Sequence, residues 1–243
     1  MNNKILLAFL IIASVIIITI RIFNFYLPHS SQVLGILMND IQSVGNEERN
    51  KEYRISIFEE FSPEVDIVFA GDSITQAGEW TDFFPNHKIA NRGVGSDTTH
   101  DLLQRLDSII SVNPRIVFVM IGINDIVSGR PLDDILVDYY SVIQSLQQRN
   151  IQVIIQSTVQ CQTFICKQHS HKVNHLNVAL ERFAHEHDII FVRLEKLSKD
   201  TGLNYLFTYD GIHLNGRGYQ EWVKTLLPIM ENLNSLSEID QSK

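Results

Sequence analysis

Four groups of residues in this chain could act together on an ester. Gly71-Asp72-Ser73-Ile74-Thr75 follows the apolar run Val65-Asp66-Ile67-Val68-Phe69-Ala70, which puts a small hydroxyl where a buried strand turns into a helix. Asp210-Gly211-Ile212-His213 stands far downstream, and between them lie Asn91-Arg92-Gly93-Val94-Gly95-Ser96-Asp97-Thr98 and Gly122-Ile123-Asn124-Asp125. Serine is a poor nucleophile until a base takes its proton. A histidine does so, and a carboxylate fixes the histidine's tautomer and stabilises its cation. Asp210 and His213 are close enough in sequence for one turn to join them. Ser73 at the first turn of a helix sits near free backbone N–H groups and the positive end of the dipole, which favours an oxyanion. Alone, each fragment has a plainer role, since Asp and Ser before a helix are ordinary caps. Together and in this order they specify the parts of an esterase.

The elements that must hold these groups follow from hydrophobic periodicity. Apolar runs at 66–70, 88–90, 115–121, 151–157 and 189–194 predict buried strands. Amphipathic stretches at 98–110, 132–149 and 173–187 lie between them, and a last helix is expected at 216–233. Strands alternating with helices of this length mean right-handed βαβ units and a parallel sheet covered on both faces. In such sheets the site lies beyond the carboxyl ends of the strands. Ser73, the loop from Asn91 to Ser96, and Asn124 each follow a predicted strand, so they converge on one edge of the sheet.

On these motifs the chain resembles the SGNH subgroup of the GDSL esterase/lipase family, from about Asp66 to the final helix. That family carries a Gly-Asp-Ser block, an Asn/Gly block, a Gly-x-Asn-Asp block and a closing Asp-x-x-His. The resemblance implies a flavodoxin-like three-layer α/β/α fold. It implies Ser73 as nucleophile, His213 as general base and then acid, and Asp210 as the orienting carboxylate. It also implies an oxyanion hole of Ser73 N–H, a loop N–H and the Asn124 side-chain amide. Asp72 and Asp125 are expected to be structural, and Asn91 to brace its loop. In one respect the chain departs from the family: the loop donor is usually a glycine directly before an Asp-Thr pair, and Ser96 stands here. A backbone N–H donates whatever its side chain, so Ser96 is assigned as donor on condition that the site does not demand positive φ, with Gly93 as the lesser alternative. No metal and no cofactor is expected. His169, His171 and His175 lack a carboxylate or cysteine that would complete a ligand set.

Composition narrows the partners. With 20 Lys+Arg against 28 Asp+Glu the formal charge is −8, and no basic stripe exists, which argues against nucleic acid. Residues 5–20 carry no charge, between Lys4 and Arg21. A spanning helix needs roughly 20 apolar residues, about 17 at the least, and residues 5–26 reach that if Arg21 snorkels. No small-x-small cleavage site follows. The expected organisation is a membrane anchor at 1–27, a partly helical connector at 28–64, a hydrolase domain at 65–235 and a tail at 236–243. Tyr53, Ile57, Phe58 and Phe61 recur at helical spacing and are expected to pack on the domain. The catalytic domain is expected outside the cytoplasm, where Cys161 and Cys166 could close a small disulfide.

Substrate contacts are expected from Gln76, Trp80, residues 127–130 and a polar loop at 160–172. Tyr205, Phe207 and Tyr209 either line an acyl or sugar pocket or pack the last loop on the sheet. The short-acyl end of the family, with enzymes similar to platelet-activating-factor acetylhydrolase and to carbohydrate O-acetylesterases, shares this style of Asn-Arg-Gly loop. The expected substrate is therefore a small-molecule or glycan acetyl-type ester. The alternatives are a lysophospholipase or thioesterase, an O-acyltransferase with the same triad, and a catalytically silent binding module.

Overall fold

A computed structural model describes residues 46–162, 166, 169–199 and 202–241. A compact unit runs from Asn50 to Lys243. Its centre is a sheet of five parallel strands: β1 (Ile67–Gly71), β2 (Ile89–Gly93), β3 (Ile116–Met120), β4 (Gln152–Gln156) and β5 (Ile190–Val192). The order is β2-β1-β3-β4-β5, which is the flavodoxin-like order. Every residue of β1 and β3 is buried. That is why these strands read as continuous apolar runs and not as alternating ones.

Helices cover both faces. Helix α1 spans 46–60; α2 (Ser73–Gln76), α3 (Trp80–Phe83), α4 (Thr99–Gln104) and α5 (Asp107–Ile110) are short. So is α6 (Ile123–Val127), whereas α7 (Leu132–Gln147), α8 (Ser170–Glu186) and α9 (Gly216–Gln241) are long. Alternation along the strands sorts the core into two layers. Phe69 of β1 stacks on Phe118 of β3 and on Trp80 of α3, and Trp80 meets Trp222 of α9 edge to face. On the opposite face, Val119 shares a small void with Leu102 of α4 and with Tyr139 and Val142 of α7. A two-stranded antiparallel ribbon, β6 (Ser198–Lys199) and β7 (Gly202–Leu203), follows β5.

The expected helix at 98–110 is broken. Thr98 starts it with a capping box closed by Asp101. It stops at Arg105, whose side chain is drawn into the interior by three acceptors, and α5 restarts at Asp107. The connector expectation needs two corrections. Phe58 is buried as foreseen, but Tyr53 is 67% and Phe61 68% exposed. The packed face of α1 instead carries Lys51 and Arg54, whose charged ends bond to the domain. No helix among the described residues is long and apolar enough to cross a membrane. The spanning helix expected at 5–26 lies outside the described residues. Cys161 and Cys166 form a disulfide.

Candidate active site

The strand order reverses direction between β1 and β3, and the crevice at that switch point is where ligands bind in such sheets. Ser73 follows β1 there as the first residue of α2. A helix of four residues has no stability of its own. Tertiary bonds hold it in place. Asp72 caps it by accepting from Ile74 N–H at 2.9 Å. Tyr219 of α9 donates to Ile74 O at 2.7 Å, and Trp80 Nε1 to Thr75 O at 2.9 Å. Asn91 Nδ2 reaches Thr75 O, Gln76 O and Gly78 O, while its Oδ1 accepts from Gly93 N–H. Asn91 thus braces the end of the serine helix as well as its own loop. Gly71 is required on contact grounds, because a Cβ there would lie 2.1 Å from Met120 O.

His213 arrives from a turn far along the chain. Asp210 Oδ1 accepts from Ile212 N–H at 2.8 Å and His213 N–H at 2.7 Å. Its other oxygen, Oδ2, lies 2.6 Å from His213 Nδ1. With the Nδ1 proton committed to Asp210, Nε2 is left as an acceptor, and it lies 2.9 Å from Ser73 Oγ. Burial opposes ionisation of Asp210, but the hydrogen bonds from the His213 ring and from the His213 and Ile212 backbone outweigh it and hold the carboxyl at about 2. Asp210 is therefore ionised across the neutral range and keeps the imidazole in the tautomer that can take a proton from serine. Thr208 ties the turn by donating to His213 O and accepting from Gly211 N–H.

The other predicted site residues lie on the segments that follow β2 and β3. Asn124 lies in the first turn of α6 and donates through Nδ2 to Asp97 O at 2.9 Å, which orients the amide and leaves its second N–H free to donate. Before it, Gly122 has φ 120°, where an L side chain is strained, and a Cβ would meet Leu176 Cδ2 at 2.7 Å. Ser96 has φ 60°. The position takes the left-handed conformation that glycine favours, against the expectation for a serine, but Ser96 adopts it and keeps its backbone N–H. Gly95, one residue earlier, gives its N–H to Gln76 Oε1 at 2.6 Å, and a Cβ there would lie 4.0 Å from Ser73 Cβ. Hence the loop runs directly alongside the serine.

Arg105 has no local signal in the sequence and is a main organiser of this loop. It is buried, and its Nε donates to Asp97 Oδ2 at 2.6 Å while Nη2 donates to Gly71 O and Arg92 O. One side chain thus ties the ends of β1 and β2 to the residue that positions Asn124. Asp125 accepts from Thr99 N–H, Thr99 Oγ1 and Arg130, as expected of a loop brace. Among the expected substrate contacts, Trp80 is corrected: it is 1% exposed and belongs to the aromatic core. Arg130 is committed to Asp125 and Asp138. Phe207 packs against the core, whereas Tyr205 and Tyr209 are exposed, and the Tyr209 ring lies nearly parallel to His213 at 5.9 Å.

N-acylneuraminate cytidylyltransferase of Streptococcus agalactiae serotype V is 26% identical over 182 residues, 74% of this chain. The match spans only 42% of that relative's length. The platelet-activating factor acetylhydrolase IB subunit alpha2 of Rattus norvegicus is 23% identical over 228 residues, covering 89% of this chain and 93% of that one. The acetyl xylan esterase AlAXEase has the same fold, with a TM-score of 0.61 at 23% identity over 68% of this chain and 99% of that one. The profile of the GDSL-like lipase/acylhydrolase family matches residues 69–221, which take in the end of β1, the loop after β2, α6 and the Asp210–His213 turn. The chain belongs to the GDSL-like lipase/acylhydrolase family, and is a hydrolase of that family.

Proposed function

We propose that this chain is a serine esterase for short acyl, acetyl-type esters, with Ser73 as nucleophile, His213 as base and acid, and Asp210 as the orienting carboxylate. The observation that carries the reading is the continuous bonding from Ser73 Oγ to His213 Nε2 at 2.9 Å and from Nδ1 to Asp210 Oδ2 at 2.6 Å. Ser73 Oγ forms a bond to the ester carbonyl carbon while its proton passes to Nε2. The oxyanion is held by Ser73 N–H, Ser96 N–H and the free Asn124 N–H. The C–O bond to the alcohol breaks, and that oxygen takes the proton from Nε2. Water then attacks the acyl-serine, giving its proton to Nε2. Collapse releases the carboxylic acid and returns the proton to Ser73 Oγ.

Relatives named as an acetylhydrolase and an acetyl xylan esterase support the acetyl-type reading, and the N-acylneuraminate enzyme supports a carbohydrate carrier. We also infer that residues 5–26 anchor the chain in a membrane with the catalytic domain outside the cytoplasm. The Cys161–Cys166 disulfide supports an oxidising compartment. The test is hydrolysis of p-nitrophenyl esters from acetate to dodecanoate by the wild type and by Ser73→Ala. Activity greatest on acetate, reduced about 10⁴–10⁶-fold in Ser73→Ala, is the expected result. Equal rates in the two proteins would sink the assignment of Ser73. A maximum at long chains would move the reading to a phospholipid-directed enzyme, and inactivity on all of them to a transferase or a silent module.

A further inference from the structure

A cavity of about 280 Å³ opens at the carboxyl ends of β4 and β5, away from Ser73 but on the same edge of the sheet. Adjacent strands are about 4.8 Å apart, so it lies roughly 10–14 Å along that edge from β1. Its described lining is mainly uncharged and rich in unspent hydrogen-bonding capacity. Ser157 Oγ accepts from Leu194 N–H and Ser198 Oγ from Gln160 N–H, which leaves both hydroxyl protons to donate. Gln160 Nε2 donates to Asn174 Oδ1 at 2.6 Å, which leaves the Asn174 amide protons. Gln160 is 3% exposed, and its Oε1 has no hydrogen-bond partner among the described residues. An acceptor left without a partner favours a ligand that brings a donor to it. Arg193 is tied to Glu181 at 2.6 Å, so its charge is already matched. Phe191 and Val178 add apolar surface.

Resting on the esterase reading above, we propose that this cavity is a distal subsite for one ring of a neutral oligosaccharide whose acetylated unit sits at Ser73. Hydroxyl and amide donors, a buried acceptor and an aromatic side wall match a polyol ring, and no unpaired cation among the described lining residues calls for an anion. The volume lies just below the range of roughly 300–1,000 Å³ usual for ligand pockets, which suits a single ring. The cavity also adjoins the catalytic turn by chain: two residues after Gln160, Gln162 N–H donates to Gly211 O, beside Asp210. Cys161, the residue after Gln160, is held by its disulfide to Cys166.

Binding is measured by calorimetry on Ser73→Ala with xylotetraose, cellotetraose and tetra-N-acetylchitotetraose, so that no turnover is needed. At least one is expected to bind, and adding Asn174→Ala should weaken it about 3–10-fold through the lost hydrogen bond. Val178→Trp, at a 66% exposed rim position, should block the cavity without touching the core. In an otherwise wild-type chain, both substitutions should leave p-nitrophenyl acetate hydrolysis unchanged. Failure of all three oligosaccharides to bind, or binding indifferent to both substitutions, would overturn the subsite. The esterase reading is decided separately by p-nitrophenyl acetate, so the two failures are distinguishable.

Discussion

Asp72 caps the helix that carries Ser73, yet one of its carboxylate oxygens is buried without a partner among the described residues. Burial raises its carboxyl to about 7; the Ile74 N–H opposes this, and the charges of Asp97 and Asp125 add to it. An unfolded aspartate titrates near 3.9. Between the two values the folded chain holds a proton that the unfolded chain has lost, so this group's contribution to stability falls as pH rises through that window. Asparagine caps a helix as well as aspartate does and does not titrate. The melting temperature of Asp72→Asn, relative to wild type, should therefore improve as pH is raised from about 5 to about 8.5. A gap that stays constant across thermal melts in that range would contradict this account. At Asn124 the expectation is kinetic. Asn124→Ala should lower kcat on p-nitrophenyl acetate about 100–1,000-fold with little change in KM, because the lost donor acts on the oxyanion and not on the ground state.

At the scale of elements, the loop after β2 carries the least favourable conformation near the site. Serine at φ 60° gives up roughly 1–2 kcal/mol that glycine would not. Glycine's greater freedom in the unfolded chain offsets about 0.5–1 kcal/mol of that. Ser96→Gly is expected to fall within about 1 kcal/mol of wild type in urea denaturation and to keep its esterase activity. Ser96→Val should lose more than about 1 kcal/mol, since a branched Cβ is far less tolerated there. Equal stability of the two variants would show that backbone strain is not the governing term. The capping box at Thr98–Asp101 is legible in the sequence, because cap and partner are neighbours in it. The break after it is not. Arg105 leaves the helix to reach Asp97, Gly71 O and Arg92 O, and two of those acceptors belong to strands that only folding brings near.

For the whole molecule, α1 closes one side of the sheet. β2 is an edge strand, and Arg54 donates to Asn91 O and Gly93 O along it. Exposed edges invite pairing with other chains, and covering one with a helix removes that hazard. Phe58 lies beneath the guanidinium groups of Arg54 and Arg92, at 5.0 and 4.4 Å from its ring centre. Lys51 reaches Asp101 at 3.0 Å and Asp97 at 3.5 Å, so the same helix also supports the loop after β2. Phe58→Ala is expected to cost about 3–5 kcal/mol in chemical denaturation, as for other buried aromatics. A loss below about 1 kcal/mol would mean that α1 adds little to the domain.

Sequence alone determined the strand positions, the parallel sheet and the four motifs, because buried runs and turn residues are local signals with a short period. It also placed Ser73, Ser96 and Asn124 at strand ends, hence on one edge. That His213 serves a serine 140 positions earlier was implied by the family resemblance and by no local pattern; the hydrogen-bond distance between them comes from the fold. Sequence alone could not separate Trp80 from the substrate-facing residues: an aromatic at a helix start reads alike in either role until Phe69 and Trp222 are packed against it. Positive φ at Ser96, the inward turn of Arg105 and the exposure of Tyr53 and Phe61 were likewise decided by tertiary structure. Each depends on which distant backbone groups need a partner, and those are known only once the chain has closed around them.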